Sequence, residues 1–148
     1  FQEIREDRGL AYSIYSFLAC YEDNGLFGIY AGTGADEVAE LTPLIAAEAA
    51  KVVADVSEDE TARARAQLKA SILMGLESTS SRAEQLARQL MVFNRPLPVE
   101  EVVTQIEAVD VAQVKRVAER IFKGRPTVAG IGPIDNLESF DTLAARFG

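Results

Sequence analysis

The chain has 148 residues, of which 48% are hydrophobic and 26% are charged, and its 15 basic and 23 acidic residues give a formal net charge of −8. The acidic surplus argues against nucleic acid as a partner, because phosphate backbones attract basic surfaces. No apolar run approaches the ~20 residues that a membrane-spanning helix needs, so we expect no membrane partner. The sequence also lacks histidine, which excludes a histidine-based zinc site or acid–base catalyst within the chain.

Cys20 is the only cysteine, so no internal disulfide can form, and its apolar neighbours predict a buried thiol. The first residues, Phe1-Gln2-Glu3, contain neither a start Met nor a signal-peptide pattern. We therefore expect the chain to begin within a longer polypeptide.

The N-terminal region predicts a short helix followed by a β-hairpin. Residues 2–8 are typical of a helix end, and Gly9 is expected to terminate it in the left-handed conformation. Residues 11–21 are rich in Tyr, Ile and Phe and predict a strand, and residues 26–32 predict the return strand. The Asp-Asn-Gly sequence at 23–25 indicates a type I′ turn, since Asn and Gly tolerate positive φ.

Residues 36–123 predict a succession of amphipathic helices. The first spans about 36–55 and the next two begin at capping boxes, which pair Ser57 with Glu60 and Ser81 with Glu84. The first helix has one apolar stripe at helical spacing, formed by Val38, Leu41, Ile45, Ala49, Val52 and Val56. The second is expected to carry Leu68, Ile72, Leu73 and Leu76 inward, and the third continues through Ala83, Leu86, Ala87, Leu90 and Met91.

The C-terminal region predicts further helices and one more strand. The Asn-Arg-Pro sequence at 94–96 stops the preceding helix, a short helix follows over 98–108, and Asp110 with Gln113 caps another that ends at Lys123-Gly124. Residues 126–132 predict a third strand. A terminal helix is expected over about 136–147, with one apolar face formed by Leu137, Phe140, Leu143 and Phe147.

This order of elements predicts an α+β fold, in which an antiparallel sheet of the hairpin and the later strand packs against several amphipathic helices. Three strands are few for so many helices. We therefore expect further strands of the domain to lie upstream of Phe1 or on another chain.

Two motifs resemble ligand sites but have simpler structural explanations. Gly32-Thr33-Gly34 begins like a dinucleotide fingerprint, yet Asp36 and Glu37 would place carboxylates where a phosphate should bind. The acidic residues at 58–60 are not spaced like a calcium-binding loop, and they suit the first turn of a helix.

The helix-to-strand junction at 5–12 offers more chemistry. Arg5 is expected in the last helical turns and Tyr12 at the opening of the strand. A guanidinium can donate several hydrogen bonds to a carbonyl or carboxylate, and a phenol can donate to a developing oxyanion. On residue chemistry alone, a surface Arg and an edge Tyr remain the simpler explanation.

Several segments, in order, resemble the C-terminal part of the pitrilysin/insulinase family of inverted zinc peptidases, of the kind found in mitochondrial processing peptidase and its bacterial relatives. They are FQEIREDRGLAYS at 1–13, LKAS at 68–71, LESTSSRAE at 76–84, NRP at 94–96 and the stretch from Pro126 to Pro133. The similarity extends over essentially the whole chain, residues 1–148, as part of the second half of a two-halved peptidase.

The resemblance implies a substrate-clamping portion of a zinc metalloendopeptidase. In this family the first half holds zinc through an H-x-x-E-H helix, and the second half supplies an Arg and a Tyr beside the metal. Arg5 and Tyr12 match those positions, so Arg5 is expected to bind a substrate carbonyl and Tyr12 the substrate or the oxyanion. The zinc and the catalytic residues are expected outside this chain, which is not expected to be active alone.

The resemblance also implies partners and an alternative. The expected partners are a peptide substrate, the zinc-binding N-terminal half and, in a dimer, a family homologue, and the acidic surplus favours basic peptides. The expected location is the bacterial cytoplasm, with the mitochondrial matrix or the periplasm as alternatives. An inactive structural or regulatory subunit that partners an active H-x-x-E-H homologue remains open, whereas a free-standing nucleotide-binding domain is a poor third choice.

Overall fold

A computed structural model of the chain describes residues 2–147, so that Phe1 and Gly148 lie outside the described part. The chain begins with a π-helix, Gln2–Asp7, and continues into two antiparallel strands, β1 (Ser13–Cys20) and β2 (Gly25–Gly32). The helices follow in order as α1 (Val38–Asp55), α2 (Glu58–Gly75), α3 (Thr79–Phe93), α4 (Val99–Glu107), α5 (Val111–Phe122) and α6 (Phe140–Ala144). The predicted α+β class is confirmed.

The sheet differs from the prediction in two respects. Residues 126–132 form no strand in the described part of the chain, and the sheet contains only β1 and β2. A strand exists only where a neighbour accepts and donates its backbone hydrogen bonds, and the sequence pattern alone could not show whether such a neighbour was present. The hairpin turn is also not type I′, because neither Asn24 nor Gly25 has positive φ.

The chain divides into two compact units. The first comprises the residues up to Leu18, Leu26–Asp55 and the residues from Lys115 onward, and the second comprises Ala19–Gly25 and Val56–Val114. The helix and strand bounds above show that β1, β2 and α5 each contribute residues to both.

The first unit contains a hydrophobic cluster that joins the π-helix, the hairpin and α1. Its buried members are Ile4, Leu10, Ala11, Ile14 and Leu41, against which Ala31, Leu44 and Ile45 pack. The predicted apolar stripe of α1 is confirmed for Val38, Leu41 and Ala49, which are buried, but Val52 is exposed.

The C-terminal segment of the first unit is fixed by a polar contact to α1. Arg146 donates three hydrogen bonds to the carboxylate of Glu138, at 2.9 to 3.1 Å, and Thr42 donates one at 3.0 Å. The hydrogen bonds from Arg146, and to a lesser extent the one from Thr42, hold the pKa of Glu138 below its ordinary value. The terminal helix is shorter than predicted, since α6 covers only Phe140–Ala144; of its predicted apolar face, Leu143 is buried and Phe140 is exposed.

The second unit confirms most of the predicted helix ends. Ser57 and Glu60 form the predicted capping box, in which Ser57 Oγ accepts from the Glu60 N–H at 3.2 Å and Glu60 Oε2 accepts from the Ser57 N–H at 2.9 Å. Asp110 and Gln113 cap each other in the same way. Helix α3, however, begins a turn earlier than predicted, because Ser78 rather than Ser81 has the extended backbone of an N-cap and accepts from the Ser81 N–H.

The second unit buries little apolar surface. Among the residues of Ala19–Gly25 and Val56–Val114, only Thr61 is buried. The predicted inward positions of Leu68 and Leu73 are wrong, since Leu68 is 51% exposed and Leu73 is also exposed. The side chains of Leu86, Leu90 and Met91 on α3 are exposed as well. Helical spacing identifies an apolar face, but the neighbour that covers it has to come from elsewhere in the structure. Cys20, which was expected to be buried, is exposed.

Candidate functional site

Arg5 lies in the N-terminal π-helix, Gln2–Asp7. The preceding residue, Ile4, is 3% exposed and belongs to the hydrophobic cluster, which fixes the backbone from which Arg5 projects. The Arg5 side chain is nearly half exposed, and its Nε lies 3.6 Å from Glu6 Oε1. Arg5 is therefore an accessible guanidinium on an anchored turn.

Side-chain bonds around Arg5 hold the same turn together. Arg8 Nε donates to Glu3 Oε1 at 2.8 Å, and Gln2 Nε2 donates to Asp7 Oδ1 at 3.0 Å. The bond from Arg8 lowers the pKa of the Glu3 carboxyl from its ordinary value. At neutral pH Glu3 is thus ionised and engaged with Arg8.

The link from Arg5 to Tyr12 is short and held at several points. Gly9 has φ +64°, as predicted for the residue that ends the turn. The Leu10 N–H donates to the Ile4 carbonyl at 2.9 Å, and Thr33 Oγ1 donates to the Leu10 carbonyl at 2.5 Å. Leu10 and Ala11 are buried in the hydrophobic cluster. The residues next to Arg5 and Tyr12 are therefore buried in the same hydrophobic cluster.

Tyr12 is held by its backbone while its side chain is exposed. Its N–H donates to the Gly32 carbonyl at 3.0 Å, and the residue is 73% exposed. The ring lies directly over Gly32, since a β-carbon at that position would come 2.6 Å from Tyr12 Cζ. No hydrogen bond joins the Tyr12 hydroxyl to another residue between Gln2 and Phe147, so the phenol can donate to a ligand.

The structure thus places both predicted residues on the surface of the first unit, next to residues of one buried cluster. Arg5 follows the buried Ile4, and Tyr12 follows the buried Ala11. A guanidinium and a phenol in these positions offer hydrogen-bond donors to a carbonyl-rich ligand such as a peptide.

The alternative ligand sites are not supported by the geometry. The carboxylate of Glu37 lies against Gly34, where a phosphate would need open backbone N–H groups. Glu60 accepts the capping bonds of α2, and those bonds lower its pKa, chiefly the one from the Ser57 backbone.

Zinc does not fit this chain. The sequence has no histidine, and residues 2–147 contain no group of three or more acidic or cysteine side chains that could hold a metal ion. The helices of the described part are likewise too short or too polar to cross a membrane.

Comparison with known proteins shows which family the chain resembles. Residues 1–68 match the family described as Peptidase M16 inactive domain. The probable mitochondrial-processing peptidase subunit beta of Arabidopsis thaliana is 39% identical over 93% of this chain. An uncharacterized zinc protease of Bacillus subtilis is 33% identical over 94% of it. The chain is thus similar, over nearly its whole length, to peptidases of the M16 family.

The M16 relatives are longer proteins. The chain spans 26% of the Arabidopsis protein and 34% of the Bacillus protein. A solved structure of complex III2 from Candida albicans has the same fold, with a TM-score of 0.89 over 98% of this chain and 35% of that chain, at 21% identity. The predicted resemblance to the C-terminal part of pitrilysin-family zinc peptidases is confirmed.

Proposed function

We propose that this chain is the substrate-clamping part of a zinc metalloendopeptidase, and that it lies in the half that does not bind zinc. Arg5 would bind a backbone carbonyl of the peptide, and Tyr12 would donate to the substrate or to the oxyanion formed during hydrolysis. The observation that carries the proposal is the joint anchoring of Arg5 and Tyr12 on one hydrophobic cluster, with both side chains open to solvent.

The zinc named in the bacterial relatives would be bound outside this chain, because residues 2–147 provide no ligand set. The chemistry that the metal supplies is the activation of water for peptide hydrolysis. The contribution of this chain is to hold and orient the peptide, which lowers the barrier by positioning and by donating hydrogen bonds where charge develops.

The test uses the complete protein encoded by the gene and measures peptide cleavage by Arg5→Ala and Tyr12→Phe. We expect kcat/KM to fall at least about tenfold for Arg5→Ala, the loss of a charge-assisted hydrogen bond. We expect a decrease of about a hundredfold for Tyr12→Phe, the loss of an oxyanion donor. The melting temperature should stay unchanged in both, because neither side chain is buried.

Matched controls are available in exposed residues of the same type. Arg88→Ala on α3 and Tyr21→Phe in the hairpin turn remove the same chemical groups elsewhere, and both should leave kcat/KM unchanged. Full turnover by both Arg5→Ala and Tyr12→Phe would refute the assignment of the site.

The second candidate is an inactive structural or regulatory subunit of the same family. The exposed apolar side chains of α2 and α3, such as Leu68 and Met91, favour it, because apolar surface of this kind is typical of protein contacts. Co-purification with a homologue that carries H-x-x-E-H, together with an absence of that motif from the complete protein, would support this candidate over the first.

We propose a cellular location that the relatives support. Zinc proteases of Bacillus and Rickettsia are similar to this chain, which favours the cytoplasm of a bacterium, and the mitochondrial relatives make the mitochondrial matrix the alternative. Fractionation of cells that express a tagged complete protein would distinguish these compartments.

A further inference from the structure

The two faces of the β-hairpin differ in their surroundings. Ile14 of β1 is buried in the hydrophobic cluster of the first unit, and Ala31 of β2 packs against that cluster. Because side chains alternate along a strand, residues 15 and 17 of β1 and residues 28, 30 and 32 of β2 belong to the opposite face. That face points away from the core.

The outward face carries a row of aromatic rings. The rings of Tyr15 and Tyr30 stack with centroids 5.1 Å apart, and the ring of Phe17 follows at 6.3 Å from that of Tyr15. Phe17 covers Gly28, as Tyr12 covers Gly32, since a β-carbon at either glycine would collide with the ring above it. We call Tyr12, Tyr15, Phe17 and Tyr30 the aromatic stripe; these residues are between 41% and 73% exposed.

The aromatic stripe has more exposed rings than the stabilisation of a hairpin requires. A ring over a cross-strand glycine does strengthen a strand pair, and single exposed aromatic residues are common. Here the rings of Tyr15, Tyr30 and Phe17 adjoin one another, and the sequences of β1 and β2, SIYSFLAC and GLFGIYAG, contain no charged residue. A contiguous exposed apolar patch often marks a binding site, so this face suits an uncharged, apolar ligand.

The spacing of the rings fits an extended peptide. Side chains on one side of an extended chain recur every second residue, about 6.6 Å apart, and the centroids of Tyr15 and Phe17 are 6.3 Å apart. A peptide running along the stripe could therefore place alternate side chains on successive rings. One end of the stripe is Tyr12, the residue to which we assign a contact with substrate.

We propose that the aromatic stripe is a specificity subsite of the peptide-binding surface, which takes an aromatic or large aliphatic side chain of the substrate with the Tyr15–Tyr30 pair at its centre. The proposal rests on the proposed function, because it extends the contact assigned to Tyr12. The residues of the pair determine which peptide binds and take no part in the bond cleavage.

The experiment measures binding of fluorescein-labelled decapeptides of Gly and Ser to the complete protein by anisotropy, with a chelator present to prevent cleavage. Each peptide contains a single Phe, Leu or Ala at a chosen position, which is moved along the peptide. At one or more positions we expect the protein to bind the Phe peptide roughly three- to tenfold more tightly than the Ala peptide, as an aromatic contact predicts.

The variants Tyr15→Leu and Tyr30→Leu should reduce the ratio of the two dissociation constants toward one, whereas Tyr30→Phe, which keeps the ring, should retain it. Phe93→Leu, which changes an exposed aromatic residue of α3, should also leave the ratio unchanged. Melting temperature and oligomeric state are measured for every variant.

Several results would overturn the proposal. The subsite is excluded if folded Tyr15→Leu and Tyr30→Leu keep the wild-type ratio of the two dissociation constants. It is also excluded if both variants change the melting temperature or the oligomeric state, because the stripe would then be a packing surface. If Tyr12→Phe still lowers cleavage while Tyr15→Leu and Tyr30→Leu leave the ratio of dissociation constants unaltered, the proposed function stands and only the subsite is refuted. Failure of every peptide to bind would contradict both.

Discussion

Gly32 determines where the ring of Tyr12 lies. Its carbonyl accepts the Tyr12 N–H, and the absence of a side chain leaves the space that the ring occupies. Gly32 does not have positive φ, so its role is close approach of the ring and no special backbone conformation. In the same region, burial of Ile4 in the hydrophobic cluster fixes the backbone that carries Arg5.

Gly32→Ala should therefore displace the Tyr12 ring without strain in the backbone. We expect kcat/KM of the complete protein for peptides to fall severalfold while the melting temperature changes by no more than ~2 °C, because the displaced ring is exposed. Gly75→Ala, where an added β-carbon meets no atom within 4 Å, is the control and should keep full activity. Wild-type kcat/KM in Gly32→Ala would show that the position of the ring is unimportant.

At the scale of helices and strands, local chemistry determines the ends of elements more strongly than it determines their neighbours. The capping residues Ser57 and Asp110 lie where their sequence motifs predicted, because a cap needs only residues within one turn. Asn94, at the predicted stop of α3, has φ 55° and ends that helix. These features are readable from sequence since their hydrogen bonds are local.

Ser57→Ala tests the contribution of a cap directly. The variant loses the acceptor for the Glu60 N–H, and we expect a destabilisation of about 1 kcal/mol, with a melting temperature lower by roughly 2–4 °C. Ser71→Ala, which changes an exposed serine inside α2, should be neutral or slightly stabilising because alanine favours helices. Equal effects of the two changes in thermal unfolding would show that the cap is energetically unimportant.

The features that sequence did not predict depend on distant neighbours. Residues 126–132 have the composition of a strand but no strand beside them in the described part of the chain. Leu68 and Leu73 have helical spacing, yet nothing between Gln2 and Phe147 covers them fully. At the site, the order of residues and the family resemblance predicted Arg5 and Tyr12, whereas the aromatic stripe was missed. The alternation of Tyr15 and Phe17, with Tyr30 on the return strand, was the signal available for it.

At the scale of the whole chain, the composition and the described structure both lack the residues of a metal site. The chain has no histidine and no acidic cluster suited to a metal within residues 2–147, and its relatives are three to four times its length. The second unit leaves apolar side chains of α2 and α3 exposed, which is the observation behind the proposal of a structural subunit. Under the proposed function, activity belongs to the complete protein, and this chain provides contacts to the peptide.

The contact between Tyr12 and a peptide can be measured by photo-crosslinking. p-Benzoyl-phenylalanine is incorporated in place of Tyr12 in the complete protein, and in a control protein in place of Tyr21, which is also exposed. After irradiation with a labelled peptide in the presence of a chelator, we expect a covalent adduct at position 12 that excess unlabelled peptide suppresses, and none at position 21. An absence of adduct at position 12, or equal adducts at both positions, would contradict the assignment of this chain as the part that holds the substrate.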